Sequence, residues 1–164
     1  MRLVAIITAL ALALAGGMAA AQTLQERIDA APDGAEIVLE AGIHQGPLVI
    51  RHPVVIDGQG VAVIDGGGTG TVVSLETDSA TLKNLTIRNS GRLHNKVDAG
   101  LRIKGSFNVI RDVRIENALF GIDFTQASNN VLRRNYISSK DMPLEMRGDS
   151  VRIWYSNDNV FEDN

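Results

Sequence analysis

The chain has 164 residues, 45% of them hydrophobic and 21% charged, the balance of one folded domain rather than of a disordered segment. A net charge of -3 excludes a global basic field for holding nucleic acid. The absence of cysteine excludes disulfides, thiolate metal sites and thiol catalysis within the chain.

Arg2 precedes an apolar run from Leu3 to Ala15, and Ala19, Ala20 and Ala21 follow. A positive start, a short apolar middle and small residues before a cut read as a secretory signal over residues 1–21, with Gln22 opening the mature chain. The run is short for a membrane span of roughly 20 residues. Export without cysteine predicts a periplasmic protein. Charge is uneven after the signal: residues 22–80 carry 2 basic and 9 acidic groups, and residues 81–164 carry 13 and 10. Two differently solvated surfaces account for this, and two faces with different partners are the sharper reading.

Thr23 and Glu26 form a capping box, in which the hydroxyl accepts from the third helical amide and the carboxylate reaches back. Leu24, Ile28 and Ala31 fall on one helical face, and Pro32-Asp33-Gly34 ends it. The pattern predicts one short helix over Leu24–Ala31. Short β-branched runs come next, each bounded by Gly, Pro or Asp: Glu36–Leu39, Leu48–Ile50, Val54–Asp57, Val61–Asp65 and Thr71–Leu75.

From Ala80 the chain repeats itself. Thr81–Asn89 aligns with Val109–Asn117, with Val131–Ser139 and with Val160–Asn164, at steps of 28, 22 and 29 residues. Between these lies a second strand type, Leu101–Ile103, Ile122–Phe124 and Val151–Ile153, at steps of 21 and 29. A base period of about 22 residues with two insertions, Ser90–Val97 and Ser139–Asp149, explains every step. Both insertions fall between the first strand type and the second, on one side of the repeat. A period this short leaves no room for a full helix per repeat. It predicts an all-β, right-handed parallel β-helix with a short N-terminal capping helix. A β-sandwich would not repeat one turn consensus. Leu82, Ile110 and Leu132 should stack inside, as should Ile87, Ile115 and Ile137. All 11 asparagines lie at or after Asn84, and Asn108, Asn130 and Asn159 each precede the first strand type. Asn tolerates left-handed turns and bonds to its equivalent one coil away, so regular coils should begin near residue 80. The sequence stops five residues into a strand motif, so residues 22–164 read as the N-terminal portion of a longer β-helix.

The segment Ser138–Ser156, above all Arg147–Ser156 followed by Asn157–Asn159, resembles the NosD family of nitrous oxide reductase maturation proteins. So does the opening Leu24–Gly58. The resemblance implies a periplasmic β-helix subunit working with the ATPase and permease of an ABC-type system and with a copper donor protein. It also implies transient handling of copper, with sulfur as a second cargo, for the copper centres of nitrous oxide reductase. The chain has no phosphate-binding Gly-rich loop of its own. For copper, the soft ligands are Met142 and Met146, both in the second insertion, with His94 in the first. Packing of the methionines against the coil face is the ordinary alternative. His44 and His52 read as ordinary polar residues. Arg147, Asp149, Arg152, Trp154 and Tyr155 are the candidate partner-binding residues. Alternation points Trp154 outward, and packing beneath the neighbouring insertion is expected for the two rings.

Carbohydrate chemistry is the other class that this fold hosts. Glycoside hydrolysis needs two carboxylates across a cleft. Asp112, Glu116, Asp123, Asp141, Glu145 and Asp149 are expected as solvated surface. Arg102-Ile103-Lys104 resembles a polygalacturonase tripeptide, but the paired aspartates and Gly-His-Gly of those enzymes are missing. The sequence therefore favours an accessory protein over an enzyme, with a carbohydrate-binding module or a carbohydrate-active β-helix enzyme acting on polysaccharide as the alternative.

Overall fold

The computed structural model describes residues 22–164, so the signal segment lies outside the described residues. One helix, α1 (Leu24–Ala30), comes first. Its capping box forms as the residues dictate: Thr23 Oγ1 accepts from the Glu26 N–H at 3.2 Å, and Glu26 Oε2 accepts from the Thr23 N–H at 2.8 Å. Leu24 and Ile28 are buried, so the helix closes one end of the core. It also covers bare strand edges. The Gln25 amide pairs with both backbone groups of Val49, and Arg27 donates to the Val38 carbonyl. A solenoid end left open would offer those groups to another chain.

Everything after α1 is strand, turn or single 3-10 turn. The strands are β1 (Glu36–Val38), β2 (Gly42–Gln45), β3 (Leu48–Ile50), β4 (Val55–Asp65), β5 (Val73–Leu75), β6 (Thr81–Arg88) and β7 (Ala99–Ile103). They continue as β8 (Val109–Ala118), β9 (Phe120–Thr125), β10 (Val131–Arg133), β11 (Tyr136–Ser139), β12 (Val151–Trp154) and β13 (Val160–Glu162). One parallel sheet runs β1-β4-β6-β8-β10-β13, with β2 on β4 and β11 on β8; the second runs β12-β9-β7-β5-β3. Each coil runs through both sheets, and its share of the larger one is split into two strands in the first coil (β1, β2) and in the coil of β10 and β11. The inward stacks follow the expected register, Leu82 on Ile110 on Leu132 and Ile87 on Ile115 on Ile137. These residues form one continuous apolar core.

Regular stacking starts earlier than the asparagines indicate. β1 already pairs with β4, Glu36 opposite Val55, so the first coils precede residue 80. They turn without Asn because other groups fill the same roles: Ala80 supplies the first rung, and Asp57 and Asp65 supply acceptors. From there the amides form ladders. The Oδ1 of Asn108 accepts from the Ala80 N–H, that of Asn130 from Asn108, and that of Asn159 from Asn130, at 2.8–2.9 Å. A second ladder joins Val113, Asn135 and Asn164. The rungs at Asn108, Asn130 and Asn135 close buried turns that water cannot reach, and those at Asn159 and Asn164 are part-buried. Single left-handed residues make the corners: Ser79, Phe107, Asn129 and Asp158 at one, Asn84, Asp112 and Arg134 at another.

Candidate functional site

Both insertions leave the first sheet at the same corner, one between β6 and β7 and the other between β11 and β12. The first carries a 3-10 turn, His94–Lys96, and the second carries another, Leu144–Met146. The coil between them has no insertion, so β8 passes into β9 through Leu119 alone. Both loops fold over that short connection. Ala99, Leu119 and Phe120 form a second buried cluster, with Val97 of one loop and Met142 of the other packed against it. The His94 ring meets Phe120 edge-on at 5.8 Å. Met142 therefore packs apolar, Met146 stands half exposed, and Leu93 (50%) and Leu144 (78%) are solvent-facing.

Polar contacts tie the same edge together. Lys140 is buried, its Nζ donating to the Asn117 carbonyl at 3.0 Å. Burial pushes its amine below the ordinary lysine value, Arg92 repels it further, and Asp98 pulls the other way. Asp98, also buried, accepts from the Leu93 N–H. Arg147 donates to the Met142 carbonyl at 2.7 Å and so braces the second loop from within. Asp149 stays exposed, and its carbonyl accepts from the Gly121 N–H.

On the adjoining outer face of the second sheet, the register lines up Arg102, Asp123 and Arg152. The structure overturns the expectation that Asp123 is solvated: it is 2% exposed. Arg102 Nε reaches one oxygen at 3.0 Å and Arg152 Nη1 the other at 2.7 Å. Flanking guanidiniums, stacked by the coil register, enclose a carboxylate that alternation had turned outward. Arg102 also donates to the Lys96 and Val97 carbonyls, which links this row to the first insertion. Trp154 and Tyr155 do not pack beneath an insertion. They are 51% and 76% exposed, because β12 ends in the opposite turn, and the Arg152 guanidinium lies 5.4 Å from the Trp154 ring. Ile153 faces inward against Phe124 as the alternation requires, yet is half exposed at the edge of its sheet.

The remaining candidates stay apart from this edge. Asp112, on the other sheet, is held by Arg134 and Arg111, whose cations draw its carboxyl below the usual range. His52 bridges the Ile28 carbonyl and Asp33, and His44 meets the Glu40 carbonyl. Among the described residues there is no pocket and no cluster of three metal-ligating His, Asp or Glu side chains. The sequence repeat held the signal for the Arg–Asp–Arg row, since Arg102, Asp123 and Arg152 occupy one aligned position. Nothing local marked Leu119 and Phe120 as the floor beneath both loops.

The model of the right-handed β-helix region matches residues 71–164, the stretch that contains both insertions and the Arg–Asp–Arg row. The chain belongs to the right-handed β-helix family. Within that fold it is similar to a protein of Pseudomonas aeruginosa named "Probable ABC transporter binding protein NosD". The two are 29% identical over 130 residues, which cover 77% of this chain and 30% of the relative. The chain thus spans about a third of that relative's length. No solved structure matches it.

Proposed function

We propose that the protein is a periplasmic accessory protein of nitrous oxide reductase maturation whose insertion edge handles copper as cargo. The observation that carries this reading is the meeting of both insertions over Leu119 and Phe120. It sets His94 and Met142 against the same apolar cluster, with Met146 farther along the second insertion, in a chain similar to NosD. Thioethers and an imidazole suit Cu(I), and an apolar floor keeps a weakly hydrated soft ion from water. Arg147, Asp149, Arg152, Trp154 and Tyr155 form the docking face in this reading. Its partners are the permease and ATPase of an ABC-type complex, a copper donor and the reductase. The name of the relative supports association with an ABC system. Residues 1–21 direct export, and the exported chain begins at Gln22.

Deletion of the gene, followed by purification of nitrous oxide reductase, tests the reading. Reductase protein depleted of copper, and restored by the gene, is the expected result. Full copper loading in the deletion strain would overturn it.

A further inference from the structure

The first coil leaves one strand edge bare. Helix α1 covers the strands before and after it: Arg27 meets the Val38 carbonyl of β1, and the Gln25 amide takes both backbone groups of Val49 in β3. β2 lies between them in the chain. It pairs with β4 on one side and has no strand or helix on the other among the described residues. The Gly46 N–H bonds to the Asp65 carbonyl, so alternation turns the backbone groups of Gly42 and His44 toward β4 and those of Ile43 and Gln45 away from it. Outward N–H and C=O groups of this kind are a template for one more strand.

Nothing in β2 guards that edge. A free edge is commonly blunted by lysine, proline or a bulge. Gly42-Ile43-His44-Gln45 contains neither residue and pairs with β4 in unbroken register. The His44 ring turns back to the Glu40 carbonyl. Ile43 is 58% exposed, near Val61 (51%) and opposite Val63 on the outer face of β4. The surroundings are acidic, for residues 22–50 carry five carboxylates and one arginine. Glu40, two residues before β2, keeps 74% of its side chain exposed although Arg27 lies at 3.1 Å. A second copy at this edge would set like charge against like charge. Charge complementarity selects a basic strand from a different protein.

We propose that β2 takes up an extended, basic segment of a partner protein as an added strand. Main-chain hydrogen bonds to Ile43 and Gln45 hold it, an aliphatic side chain rests on Ile43 and Val61, and lysine or arginine side chains face Glu40. These residues are separate from those of the copper reading, so either proposal can fail alone. The probe is a fluorescein-labelled peptide of about ten residues that alternates valine and lysine, titrated by polarisation into the chain of residues 22–164. One control peptide alternates valine and glutamate. The other keeps every lysine but carries proline at two central valines, which breaks main-chain pairing and leaves the charge. The lysine peptide should bind saturably, and both controls about tenfold or more weakly. Bound lysine peptide should also slow hydrogen exchange at the Ile43 and Gln45 amides of the wild type. Ile43→Lys charges an exposed edge position, so it should melt as wild type does and bind about tenfold more weakly. Equal binding of either control, unchanged exchange at Ile43 and Gln45, or undiminished affinity in Ile43→Lys overturns the proposal. So does a dimer of the chain that Ile43→Lys dissociates, because the edge would then belong to a second copy.

Discussion

Asn130 shows how much one residue can carry in this fold. Its Oδ1 accepts from the Asn108 N–H, its amide nitrogen donates to the Gly105 carbonyl, and its own N–H is met by Asn159. Asn130→Ala strips two buried backbone groups of their partners, which should cost about 3 kcal/mol. Asn95→Ala, on the exposed first insertion, should stay within about 0.5 kcal/mol. Urea unfolding of both variants measures the contrast. The ladder was legible in sequence because aligned asparagines at a fixed period have few other uses. Asp123 was not, because alternation gives a direction and not an environment. Only the stacking of Arg102 and Arg152 on either side turns an outward aspartate into a buried one.

At the scale of elements, the insertions behave as one unit with a shared floor. Their existence and their common side of the solenoid were readable from repeat spacing. The floor was not, because Leu119 and Phe120 belong to the coil that lacks an insertion, where no irregularity draws notice. Phe120 contacts His94 from one loop and belongs to the cluster that Met142 of the other packs against. Phe120→Ala should therefore cost about 3 kcal/mol and loosen both loops together. Hydrogen exchange checks this: faster exchange at Val97 and Gly148 alike is expected, and faster exchange at one loop alone would show that the loops are independent. The helix was read to within one residue, since Thr23 and Glu26 fix its start by chemistry that needs no tertiary context. The early strands were read less well. Val54–Asp57 and Val61–Asp65 join into the single strand β4, whose left-handed Gln59 and Gly60 keep pairing on both sides of a bend.

Over the whole molecule, carboxylates at successive corners act as staples between coils. At Asp57 burial opposes ionisation, but the Gln59 N–H and the Asn84 amide outweigh it; at Asp65 burial is likewise outweighed, by Asn89 and the Gly67 N–H. At Asp112 the leading influence is the hydrogen bond from Arg134. All three carboxyls sit below the ordinary Asp value of 3.8. A depressed folded value means that their contribution is present above that value and is lost as pH falls through the folded one. Thermal melts should thus hold steady from neutral pH down to about 5 and drop steeply below about 4. Asp112→Asn should flatten part of that drop.

The claim that the insertion edge handles copper meets its most direct test in Cu(I) competition with a colorimetric chelator. The measurement compares the chain of residues 22–164 with its Met142→Ala/Met146→Ala and His94→Ala variants. Wild type should withdraw Cu(I) from the chelator, and both variants should bind about tenfold or more weakly while melting as folded proteins. Equal Cu(I) affinity across all three would contradict the account.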